Sequence, residues 1–181
     1  MKIVFLDFDG VITLPPKWNI DINKLKQLKT IIDNTHAKIV VSSSWRGETI
    51  ESTKDFWFKN IKRCNKNRML NWFIDNLYDV TGVSCDRGTE IQQYIDTHND
   101  IENYVILDDD SDMLNSQIYH FVQTNFEFGL TEQQVSLAIK VLNNERIYNK
   151  LGLNFCLRYA WLQKCDGNDK YYNELNIYDE K

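Results

Sequence analysis

No apolar run in the sequence approaches the roughly 18 residues that a membrane-crossing helix needs, so no membrane segment is expected. No two cysteines stand at CxxC spacing, and Cys64, Cys85, Cys156 and Cys165 match no metal-finger pattern. They read as reduced thiols of a cytoplasmic protein. A basic excess is missing too: the formal net charge is −5, which removes any whole-chain argument for a nucleic-acid field. Repeats and long low-complexity segments are absent. The only prolines are adjacent, Pro15 and Pro16, and forbid helix in one early loop. The N-terminus reads as a strand with charged residues inside it and not as a signal peptide. What is present is the composition of a soluble globular chain, 43% hydrophobic and 26% charged, with 181 residues to build one domain and a real core.

Apolar runs alternate with helical periodicity. Ile3 to Leu6, Lys38 to Ser44 (ending in hydroxyls) and Tyr104 to Leu107 read as buried strands, and Phe121 to Thr124 as a fourth. Val80 to Cys85 is a further short strand. Asp21 caps a helix to Asn34, with Ile22, Leu25, Leu28, Ile31 and Ile32 on one face. Residues 46 to 80 read as irregular helix, with Phe56, Trp57, Phe58, Leu70, Trp72, Phe73, Ile74 and Leu77 on apolar faces. Thr89 to His98 and a segment capped by Thr131 complete the helices. Strands alternating with helices imply an α/β fold: a doubly wound, Rossmann-like, mostly parallel sheet with helices on both faces.

In such sheets ligands bind outside the carboxyl ends of the strands. Three of these strands end on polar clusters: Asp7 and Asp9; Ser42, Ser43 and Ser44; and Asp108, Asp109 and Asp112. Two acids at the end of a core strand are costly unless a cation sits between them. Asp-Gly after a strand is also ordinary turn punctuation, so Asp7 to Gly10 does not decide the matter by itself. Carboxylates from two strands suit an all-oxygen magnesium site, with hydroxyls and a cation left to hold phosphate oxygens.

Together, these residues resemble the haloacid dehalogenase (HAD) superfamily of phosphohydrolases. Asp7-Phe8-Asp9-Gly10-Val11 is similar to the first motif of that superfamily. The resemblance implies that Asp7 is the nucleophile, forming an aspartyl-phosphate, and that Asp9 is the general acid and base. It places the second-motif hydroxyl at Ser42 or Ser43, with Ser43 favoured. Arg87 takes the third-motif cation, where the family more usually has lysine; an arginine holds charge without moving protons. Leu107-Asp108-Asp109 is similar to the fourth motif. Asp7, Asp9, Asp108 and Asp109 would then bind Mg2+, with Asp112 a rival of Asp109. Gly10, Ser42, Ser44 and Arg46 are candidates for substrate binding, Arg46 being equally suited to a structural salt bridge. Ser-Ser-x-Trp-Arg at Ser42 to Arg46, Arg-Gly-x-Glu-Ile at Arg87 to Ile91 and Gly129-Leu130-Thr131 are similar to a subgroup of HAD phosphatases, in the manner of the HAD domains of nucleic-acid end-repair enzymes.

The resemblance covers about residues 1 to 142, giving a catalytic domain at 1–145 and a helical or irregular extension packed on it at 146–181. HAD enzymes choose substrates with cap insertions. None fits between Val11 and Ser42, and the interval from Arg46 to Asp86 has room for a small one only. An open site would admit large phosphates: a nucleotide, or the phosphate end of a nucleic acid. Lys54, Lys59, Lys62, Arg63, Lys66 and Arg68, interleaved with Phe56, Trp57 and Phe58, fit a single-stranded end. They fit better a solvated helix face over buried aromatics. A phosphoryl-accepting receiver domain has acidic strand ends too, but its phosphorylated Asp follows a later strand. From a different class, the alternative is a catalytically silent phosphate- or nucleic-acid-binding module of the same fold. Nothing in the sequence sets the oligomeric state.

Overall fold

The computed structural model describes residues 1–17, 19–62 and 68–144, without the side chains of residues 58 and 60–62. Its frame is a five-stranded sheet in the order β5-β4-β1-β6-β7, made of β1 (Lys2–Leu6), β4 (Lys38–Val41), β5 (Leu77–Val80), β6 (Asn103–Asp108) and β7 (Phe121–Gln123). Every pairing in it is parallel. A small antiparallel pair, β2 (Thr13–Leu14) and β3 (Asn19–Ile20), follows the first strand.

Alternation along the strands sends neighbouring side chains to opposite faces. Val4 and Leu6 of β1, Ile39 and Val41 of β4, and Val105 and Leu107 of β6 meet one set of helices. Those helices are α1 (Ile22–Thr35), α2 (Ile50–Lys62), α3 (Arg68–Asn76) and α5 (Glu132–Leu142), through Leu25, Leu28, Trp57, Phe73 and Val135. Ile3 and Phe5, Val40, and Ile106 face the other way, onto Ile91 and Tyr94 of α4 (Arg87–Thr97) and Ile118 of the 3-10 helix Asn115–His120. The fold is therefore the expected α/β sheet covered on both faces. Central strands buried on both sides explain why Ile3 to Leu6 carries four apolar residues in a row instead of an alternating pattern.

Helix ends follow the local chemistry. The Asp21 carboxylate accepts from the backbone N–H groups of Asn23 and Lys24, and Asp86 accepts from that of Thr89. The Thr131 hydroxyl and backbone N–H both donate to Gln134. One expected strand is misplaced. The strand lies at Leu77–Val80 and not at Val80 to Cys85; residues 81–84 have no regular structure. Leu77 is buried beside Ile39 of β4, which anchors the pairing, whereas Val83 is 86% exposed. Leu77 had the spacing of the preceding helical face, and tertiary pairing overrides that local signal. No helix among the described residues is long and apolar enough to cross a membrane. The extension expected at 146–181 lies outside the described residues, as do Cys64, Cys156 and Cys165.

Candidate active site

The three central strands, β4, β1 and β6, are neighbours, so their carboxyl ends converge on one crevice, as the sequence reading requires. The chain leaves β1 at Asp7 and turns back, with the Phe8 carbonyl accepting from the N–H groups of Val11, Ile12 and Thr13. Gly10 completes the turn at φ +63°, in the left-handed region. A Cβ there would come within 2.6 Å of Asp109 Oδ2, so the absent side chain lets the acids of β1 and β6 approach each other.

Asp7, Asp108 and Asp109 form the carboxylate cluster: each offers one oxygen, and these oxygens lie within 4.8 Å of one another. Asp7 is 6% exposed and Asp108 2%. Burial pushes the Asp7 carboxyl up to about 6, against the pull of the Arg87 guanidinium and of hydrogen bonds from Ser43 and the Phe8 backbone. Burial, and then the charge of Asp7, raises Asp108 well above the usual carboxylate range. Asp109 is raised as well, first by burial. Three carboxylates at one point, two of them buried, form a donor set suited to a hard divalent cation such as Mg2+. The buried Oδ2 of Asp108 makes no hydrogen bond among the described residues and has the Arg87 guanidinium as its charged neighbour.

The Arg87 guanidinium spans the cluster. It stands 3.5 Å from Asp7 Oδ1, 3.3 Å from Asp108 Oδ2 and 3.2 Å from Glu90 Oε2. It sits there because the first turn of α4 is held against the loop after β6: the Arg87 backbone N–H donates to the Asp112 carboxylate, and that of Gly88 to the Asp112 carbonyl. Asp112 is therefore a clasp for α4, outside the carboxylate cluster. Asp110 is also outside it.

Of the serines, Ser43 is buried and bonded to Asp7, and its hydroxyl accepts from the Trp45 backbone N–H at 3.3 Å. Ser42 is equally buried, but its hydroxyl has no partner among the described residues. Ser44 is exposed. Arg46 has its side chain only 7% exposed and makes four hydrogen bonds, to the carbonyls of Ser43, Thr81 and Gly82 and to Glu90 Oε1. Its guanidinium is a bolt between the β4 loop and α4, with little left to offer a substrate.

The Asp9 carboxylate stands outside the metal-competent cluster. Its oxygens are taken by the Thr13 hydroxyl at 2.6 Å and Trp45 Nε1 at 2.7 Å. Thr13, Trp45 and Glu90 thus belong to the site although the sequence reading gave them no role. Trp45 and Glu90 lie inside the two short motifs, and an acid three residues after Arg87 is a helix-pair signal. For Thr13 no such signal exists. Of the basic stretch, Lys54 is half-buried on α2, exposed Lys59 pairs with Asp55 at 4.0 Å and Arg68 is exposed. The side chain of Lys62, and Arg63 and Lys66, lie outside the described residues.

No curated protein and no solved structure matches the chain. A family model does: the HAD domain in Swiss Army Knife RNA repair proteins, over residues 3–135. Apart from Lys2, that span contains every strand of the described residues, the carboxylate cluster and Arg87. The chain belongs to this family, and so to the HAD superfamily.

Proposed function

We propose that this domain is a magnesium-dependent phosphomonoesterase that works through an aspartyl-phosphate and takes its phosphate from the end of a nucleic acid. The observation that carries the reading is Asp7: a buried carboxylate at the end of the central strand, touched by Arg87 and Ser43 and facing Asp108 and Asp109. Asp7, Asp108 and Asp109 would hold the Mg2+, which supplies charge neutralisation for the incoming phosphate. An oxygen of Asp7 attacks phosphorus as the ester P–O bond breaks. Asp9, in its acid form, gives its proton to the leaving oxygen. Asp9 then takes a proton from a water, whose oxygen attacks the same phosphorus and frees Asp7. Thr13 and Trp45 hold Asp9 in place for both transfers. Arg87 and the Ser43 hydroxyl support the phosphoryl oxygens, whose charge they complement.

The family description, with its RNA repair proteins, favours a polymer end over a free nucleotide as substrate. The short loop after β1 agrees with a large substrate, since its described residues form a two-stranded pair, too small for a cap domain. The test is phosphate release from 5′- and 3′-phosphorylated RNA oligonucleotides against free nucleotides, with magnesium. Faster turnover of oligonucleotide ends is expected; equal or faster turnover of free nucleotides would contradict the substrate assignment. Tight binding of these ends with no release at all would favour a silent binding module.

A further inference from the structure

Beside Asp9 the surface carries an open hollow of about 350 Å³, lined by Ser44, Trp45, Arg46, Gly47 and Phe56. Its size lies at the small end of ligand pockets, which run from about 300 to 1,000 Å³. Trp45 connects it to the reacting groups, since the same indole that lines the hollow donates to Asp9 at 2.7 Å. Phe56 of α2 also lines it, 46% exposed, with its ring centroid 6.5 Å from that of Trp45 and the two ring planes 54° apart. Buried Trp57 braces both, at 5.5 Å from each, and packs in turn on Phe8, the residue between Asp7 and Asp9. A line of rings therefore runs from the catalytic turn to solvent.

The chemistry of the lining selects its occupant. The one cation, Arg46, is committed to Glu90 and three carbonyls, so no charge is left for a phosphate. Two aromatic faces and a serine hydroxyl instead suit a flat, uncharged ring with polar edges. With a phosphate held at Asp7, the flat group nearest to it in a nucleic-acid end is the base of the terminal nucleotide.

We infer that Trp45 and Phe56 form a stacking subsite for the base of the phosphate-bearing terminal nucleotide. This rests on the substrate reading above and adds what the enzyme grips besides the phosphate. Stacking of one base on protein aromatics changes affinity by about ten- to hundredfold.

The test separates binding from turnover. The Asp7→Asn protein is titrated with short RNAs phosphorylated at the 5′ or the 3′ end and labelled at the other, each with a normal or an abasic terminal nucleotide. Fluorescence anisotropy reads the affinity. For at least one of the two ends, the base-bearing RNA is expected to bind about tenfold or more tightly than its abasic twin. Adding Phe56→Leu, which keeps an apolar contact with Trp57 but no ring, should erase most of that gap; adding Phe56→Tyr should keep it. Equal affinity for normal and abasic RNAs at both ends, or a gap undiminished by Phe56→Leu, would overturn the subsite. Phosphate release by the unaltered protein is followed in parallel. If release fails while base-dependent binding persists, the phosphatase reading falls and the subsite stands.

Discussion

At Asp7 the fold holds a carboxylate in a place where its charge is costly in the absence of metal. Its pKa rises from 3.8 unfolded to about 6 folded. A raised carboxyl stabilises the fold fully below pH 3.8, and that contribution is lost as pH climbs through about 6. The difference is on the order of 2–3 kcal/mol. Asp7→Asn is therefore expected to do two opposite things. Activity should fall by about three orders of magnitude or more, as for other lost nucleophiles. The metal-free variant should melt a few degrees higher than the unaltered protein at pH 7, because Arg87 still has Asp108 and Glu90 to pair with. Thermal melts at pH 7 and pH 4.5 check this, and the gain should shrink at the lower pH. Glu90 is the reverse case. It is the buried anion between Arg46 and Arg87, and Glu90→Ala would leave two guanidinium groups short of charge. A loss of about 3–5 kcal/mol in urea unfolding is expected.

At the scale of elements, the site is an assembly of strand ends and the turns that follow them. The loop after β1 is bent by Gly10, and the structure uses the missing side chain twice, for φ and for room beside Asp109. Gly10→Ala should cost about 1–3 kcal/mol through backbone strain. It should also weaken magnesium binding by displacing the Asp109 carboxylate, measurable by calorimetric titration. Gly10 was a candidate for substrate binding on the sequence alone, where a neighbour 99 positions away leaves no local trace. Arg46 is a similar case: its role depends on where Thr81, Gly82 and Glu90 fall, and no local pattern announces that. By contrast Asp7, Ser43, Arg87 and Asp108 were legible because each lies at or just past the end of an apolar strand or opens a helix. The β5 strand was mislocated for the complementary reason, that its partner β4, and not its own periodicity, defines it.

For the whole molecule, the doubly wound sheet was legible because its central strands carry short apolar runs, Ile3 to Leu6, Ile39 to Val41 and Val105 to Leu107, separated by amphipathic helices. The order β5-β4-β1-β6-β7 then brings three chemically unlike strand ends together. Under the proposed function, that convergence would couple metal to stability. Magnesium is expected to raise the melting temperature, by the equivalent of about 2.7 kcal/mol at a hundred times its dissociation constant. Because Asp7 must lose its proton to bind the ion, the effect should weaken below about pH 6. Melting scans with and without magnesium at pH 5 and pH 7.5 would show it. The central claim, that Asp7 attacks phosphorus with magnesium bound beside it, is tested most directly by hydrolysis of a generic aryl phosphate. The unaltered protein and Asp7→Asn are compared, each with and without magnesium. Phosphate release only by the unaltered protein and only with magnesium is the predicted result; release without magnesium, or release surviving Asp7→Asn, would contradict it.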